Sequence, residues 1–74
     1  MAGVEKIIKK MHTQPSGIRF DEAAKVLEHY GYILERKKGS HRHFRNKAGD
    51  VITIKEENPL KAVYVKDILS RIGR

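Results

Sequence analysis

Seventy-four residues make one small domain, and a chain of this length buries only about 60% of the surface its unfolded form exposes, leaving little room for a deep two-lobed cleft. The chain has no cysteine, which excludes disulfides and thiolate metal centres and leaves packing to hold the fold. Sixteen Lys and Arg against nine Asp and Glu give a formal net charge of +7, the footprint of a protein that meets a polyanion. Nucleic acid fits that number, and so do an acidic protein and an anionic membrane.

No apolar run approaches the ~20 residues needed to span a bilayer, and the opening MAGVEKIIKKMH breaks its apolar residues with charges, unlike the apolar core of a signal peptide. A soluble, unprocessed, cytoplasmic protein is therefore expected, with residues 1–74 as a single domain.

Val4, Ile7, Ile8 and Met11 recur at i, i+3, i+4 and i+7, which predicts an amphipathic helix over about 4–12 whose apolar stripe adds area to a small core, with partner binding or self-association as the alternative. His12-Thr13-Gln14-Pro15-Ser16-Gly17 then stops it with Pro and Gly in a polar setting. From Phe20 to Tyr30 the helical pattern returns, with Phe20, Ala23, Ala24, Leu27 and Tyr30 on one face. Asp21 and Glu22 suit its positive end, and Gly31 stands where a left-handed residue ends a helix.

Tyr32-Ile33-Leu34 open a strand expected to run to Arg36 or Lys37. Lys38-Gly39-Ser40 is short enough for a hairpin turn, and His41 to Arg45 is the returning strand. Alternation puts His41, His43 and Arg45 on one face and Arg42 and Phe44 on the other, so a core Phe44 leaves both histidines outside. Asn46 to Asp50 makes a second turn before the strand Val51-Ile52-Thr53-Ile54. Asn58-Pro59 marks a loop, with Glu56 and Glu57 read as a solvated face that repels phosphate. Val65, Ile68, Leu69 and Ile72 define a last helix over about Ala62 to Ile72, ended by Gly73. The order is α-α-β-β-β-α. It predicts an α+β fold, a three-stranded antiparallel sheet with helices on one face and the other face partly open.

The chemistry gathers in Gly39-Ser40-His41-Arg42-His43-Phe44, inside the cationic run from Arg36 to Lys47. His41 and His43 point the same way and are two possible imidazole ligands, but two ligands do not make a metal site. A third would come from His12, His29 or Asp50, none at a diagnostic spacing, so no metal and no small-molecule cofactor is expected. Histidine beside Lys and Arg also suits RNA cleavage. Attack of a ribose 2′-hydroxyl on its own phosphate needs one proton removed and another delivered, and an imidazole, ordinarily titrating near pH ~6.5, does either. Lys37, Lys38 and Arg42 are the nearest cations to stabilise the phosphoryl oxygens, and the Gly39-Ser40 backbone offers close approach to a phosphate. From the residues alone three uses stay open: a cleavage site, a non-catalytic RNA- or DNA-contact surface and a solvated basic turn.

Gly39-Ser40-His41 followed by Phe44 resembles the signature of the HicA family of bacterial toxins. The likeness extends through Leu27-Glu28-His29-Tyr30-Gly31-Tyr32, Val51-Ile52-Thr53-Ile54 and Val65-Lys66-Asp67-Ile68-Leu69 with Gly73, so it covers about Phe20 to Gly73. The resemblance implies a fold like the double-stranded-RNA-binding domain, metal-independent cleavage of messenger RNA with His41 as the catalytic residue, and a HicB-like antitoxin that blocks the site. Lys37, Lys38, Gly39, Ser40, Arg42, His43 and Arg45 are then the candidate substrate contacts. Two departures stand out. Lys55-Glu56-Glu57-Asn58 replaces a Pro- and His-containing continuation of the third strand, and the helix at Val4 to Met11 is extra relative to the shortest members.

Overall fold

A computed structural model describes residues 2–74. Helix α1 spans Ala2–Thr13, a single 3₁₀ turn Pro15–Gly17, helix α2 Phe20–His29, strands β1 Ile33–Lys38, β2 His41–Arg45 and β3 Val51–Lys55, and helix α3 Ala62–Ile72. The protein is α+β in the expected order, with the antiparallel sheet arranged β1-β2-β3. No helix among the described residues is long and apolar enough to cross a membrane.

The core is one cluster in which Val4, Ile8 and Met11 of α1, Ala23, Val26 and Leu27 of α2, and Val65 and Ile68 of α3 meet Phe44, Ile52 and Ile54 of the sheet. The stripe of α1 thus adds area to the core, as its periodicity requires. Three core residues lie outside the helical and strand patterns: Ile18, Tyr32 and Leu60 are buried from connecting segments. Two of these segments are tied together by the Leu60 N–H, which donates to the Ile18 carbonyl at 2.8 Å.

Helix α2 starts where two side chains satisfy its free N–H groups. Glu22 Oε1 accepts from the Arg19 N–H at 2.9 Å, and Asn58 Oδ1, from the far side of the chain, accepts from the Phe20 N–H at 2.8 Å. Lys10 Nζ reaches both Glu22 oxygens at 3.2 Å and joins α1 to this helix start. The helix ends on Gly31, whose φ of 89° is left-handed, with the Tyr32 N–H returning to the Leu27 carbonyl at 2.9 Å. That sharp end takes Tyr32 out of the strand it was expected to open. Its ring is buried, and β1 begins at Ile33.

The buried Tyr32 hydroxyl donates to Asp50 Oδ2 at 2.5 Å, and Arg71 of α3 donates to Asp50 Oδ1 at 2.7 Å and to the Val51 carbonyl at 2.8 Å. This network fastens the β2–β3 turn to the last helix. The Tyr32 and Arg71 hydrogen bonds hold the Asp50 carboxyl below the usual carboxylate range, while burial and the bond to Asp50 push the Tyr32 hydroxyl above the ordinary phenol value. A depressed carboxylate stabilises the fold above its unfolded pKa of about 4 and loses that contribution as pH falls. A raised phenol contributes fully below about pH 10 and loses it as pH rises further. Urea midpoints are therefore expected to fall on both sides of that window, with Asp50→Asn removing this group's share of the acid-side slope and Tyr32→Phe its share of the alkaline one.

Candidate functional site

The site is built by the β1–β2 hairpin. Gly39 and Ser40 form a two-residue connection between the paired Lys38 and His41, with Gly39 at φ 58°, a conformation that costs glycine no steric strain. The turn is braced from beneath by Arg42, whose Nη1 donates to the Gly39 carbonyl at 2.8 Å and to the His41 carbonyl at 3.2 Å. Its Nη2 meets Glu56 Oε1 at 2.6 Å, with the Arg42 side chain only 16% exposed, and the Glu56 N–H donates to the Ser40 carbonyl at 2.7 Å. Glu56 stays exposed, as a solvated face requires, but its carboxylate is paired with Arg42 and helps to hold the hairpin. Glu57 is half-buried.

The register assigns each side chain to a face. His41 pairs with Lys38 on one side and Lys55 on the other, His43 with Arg36 and Thr53, and Arg45 with Ile33 and Val51. These three rows form the face turned away from the helices, since Phe44, between His43 and Arg45, is buried in the core with Leu34 and Ile52 as its register partners. Arg42 pairs with Lys37 and Ile54, so Lys37 and Arg42 belong to the opposite face from His41. Of the cations and histidines read from the sequence, Lys38, His41, His43 and Arg45 come together. Lys37 does not, and Arg42 is a brace beneath the turn.

Within this face His41 is exposed, and the half-buried His43 places Nδ1 2.8 Å from Thr53 Oγ1. Arg45 lies 3.6 Å from Glu35, the residue by which the β1–β2 register shifts between Leu34 and Arg36. The face has almost no acidic character otherwise: Arg36, Lys38 and Lys55 surround the histidines and are the cations that draw a polyanion there. Arg36, Thr53 and Lys55 were missed as site residues. Pairing outward from the two turns places them here once the register of both hairpins is fixed.

The other candidate metal ligands lie apart from this face. His12, on α1, has Nε2 3.1 Å from the Arg74 carbonyl, His29 packs edge-on to Tyr30 with ring centres 5.2 Å apart, and Asp50 is held by Tyr32 and Arg71. No group of three or more His, Cys, Asp or Glu placed to hold a metal ion occurs among the described residues.

A small α+β protein with a cationic open sheet face and an exposed histidine at a Gly-Ser turn is the class these observations define. The family model for the HicA toxin of bacterial toxin-antitoxin systems matches residues 20–73, and the chain belongs to that family. The match begins with the first residue of α2 and leaves α1 outside it. No curated protein and no solved structure matches the chain. Membership of a toxin-antitoxin family brings with it an antitoxin as partner and RNA as the substrate class.

Proposed function

We propose that the chain is a toxin-type endoribonuclease that cleaves messenger RNA by metal-independent acid/base chemistry centred on His41. The observation that carries the reading is the exposed His41 flanked in register by Lys38 and Lys55 at the end of a glycine-containing turn. The His41 imidazole takes the proton of a ribose 2′-hydroxyl as its oxygen attacks the adjacent phosphorus. The bond from phosphorus to the 5′-oxygen breaks, a proton is delivered to that oxygen, and the products end in a 2′,3′-cyclic phosphate and a 5′-hydroxyl. Lys38 and Lys55 stabilise the charge gathering on the non-bridging oxygens, and the Gly39-Ser40 backbone leaves room for the phosphate. His43 and Arg45 contact the same strand of RNA. The fold is of the double-stranded-RNA-binding kind, with the open face given to substrate and covered in the inactive complex by a HicB-like antitoxin.

Purified protein incubated with RNA in excess EDTA is expected to yield fragments ending in cyclic phosphate. Intact RNA under conditions where the protein binds it would replace this reading with a non-catalytic RNA-binding domain using the same cationic face. In either case the logarithm of affinity is expected to fall linearly with that of salt. The Lys38→Ala/Lys55→Ala double variant should flatten the slope by about 0.7 for each single-strand phosphate that is no longer neutralised. A slope unchanged by the double variant removes these lysines from the interface.

A further inference from the structure

Cleavage by 2′-hydroxyl attack moves two protons, one off the nucleophile and one onto the leaving oxygen, and His41 alone accounts for one of them in a single step. The face that carries His41 holds a second imidazole in a defined orientation. His43 is half-buried, its Nδ1 lies 2.8 Å from Thr53 Oγ1 on the neighbouring strand, and no hydrogen bond to its Nε2 is present among the described residues. Residues two apart on a strand point to the same face about 7 Å from each other. That spacing admits a phosphodiester between the two rings, with each ring nitrogen within the ~2.6–3.2 Å reach that proton transfer requires.

We propose, resting on the ribonuclease reading, that His43 is the second proton-transfer group of this site and that Thr53 is its positioning residue. The Thr53 hydroxyl accepts the Nδ1–H, which fixes the ring plane and leaves Nε2 directed at the substrate as the atom that exchanges the proton. In the cleavage step His41 Nε2 takes the 2′-hydroxyl proton while His43, protonated at Nε2, gives its proton to the 5′-oxygen as the phosphorus–oxygen bond breaks. After product leaves, both rings return to their starting states through exchange with water. The groups that face His43 are Arg36 from β1, with Glu35 beside it and paired to Arg45, Thr53 from β3, and on either side along the sheet Lys38, His41, Lys55 and Arg45. A hydroxyl orients the ring in this setting without adding a negative charge that would repel the phosphate. A carboxylate at position 53 would do the first and fail the second.

The test uses the full chain acting on an RNA oligonucleotide in EDTA, with rates followed from pH 4.5 to 9. Wild type is expected to give a bell-shaped profile. His43→Asn keeps an amide N–H close to where Nδ1 donates but cannot exchange a proton; it should lower kcat by about 10² or more and remove one limb of the bell. Restored cleavage of a substrate with an activated phenolate leaving group, which needs no protonation, would assign His43 the acid role. Thr53→Val should lower kcat about tenfold with little change in KM, and Thr53→Ser should restore it. Ring ¹⁵N shifts give a readout independent of activity: wild type and Thr53→Ser hold His43 in the Nδ1–H form, and Thr53→Val mixes the two tautomers. Active wild type with His43→Asn at full rate overturns the second-group assignment while the ribonuclease reading stands. Wild type that cuts no RNA overturns the ribonuclease reading itself, and unchanged ring shifts in Thr53→Val overturn the positioning role by itself.

Discussion

His41→Ala is expected to lower RNA cleavage by at least about 100-fold, the loss typical of a removed acid/base group, while leaving the circular dichroism spectrum and the urea midpoint close to wild type. The physical reason for the second half is the exposure of the side chain. His41 contributes its backbone to the ladder between Lys38 and Lys55, and its ring makes no hydrogen bond among the described residues, so truncation removes no packing and leaves no buried polar group unpaired. Undiminished cleavage by this variant takes His41 out of the mechanism. A collapse of secondary structure contradicts its placement at the surface. The control is Arg42→Ala, which removes the brace to Gly39 and Glu56 and should reduce cleavage through a loosened turn, with a lower urea midpoint as its signature.

Phe44→Ala is expected to have the largest effect on stability, about 3–5 kcal/mol. The ring is fully buried at the centre of the sheet's inner face, between Leu34 and Ile52 in register, and it packs tilted against Phe20 with ring centres 6.3 Å apart. A domain of this length has a total stability of roughly 4–11 kcal/mol, so the substitution is enough to unfold a large part of the population. Phe44→Leu leaves a smaller void and should retain a measurable cooperative transition. Urea unfolding followed by circular dichroism checks both. A loss below about 1 kcal/mol for Phe44→Ala would mean that the sheet is not clamped to the helices through this ring. Because Phe44 lies between His43 and Arg45, a shift of one residue in β2 would exchange the two faces of the strand and bury the histidines. The same anchor that stabilises the core therefore keeps the site outside it.

Much of the fold was legible in the chain. The stripe of Val4, Ile8 and Met11, the end of α2 at Gly31 and the hairpin about Gly39-Ser40 follow from periodicity and turn chemistry, both of which act over a few neighbouring residues. What the chain did not show was set mostly by interactions between distant residues. Tyr32 looked like a strand residue because its ring favours strands, but the sharp helix end turns its ring into the core, with its hydroxyl donating to the part-exposed Asp50 at the core's edge. Glu56 read as part of a solvated acidic loop and Arg42 as a cation for phosphate, yet each is the other's partner across the β2–β3 hairpin. Asn58 read as a loop residue and serves as a cap for α2. Ile18 and Leu60 carried no periodic signal, since each enters the core singly from a connecting segment.

The candidate site divides along the same line. The sequence by itself determined the order of elements, the turn that displays His41, and the alternation that keeps His41 and His43 on the side opposite Phe44, because a strand's two-residue period is a local property. Only the tertiary structure decided which cations accompany the histidines. Lys55 and Thr53 arrive from β3 and Arg36 from β1 through the register, whereas Lys37 falls on the other face and Arg42 is taken up by Glu56. Register depends on two turns and one buried ring acting together, and an ion pair depends on where two separate segments come to rest. Neither quantity is contained in any short stretch of the chain.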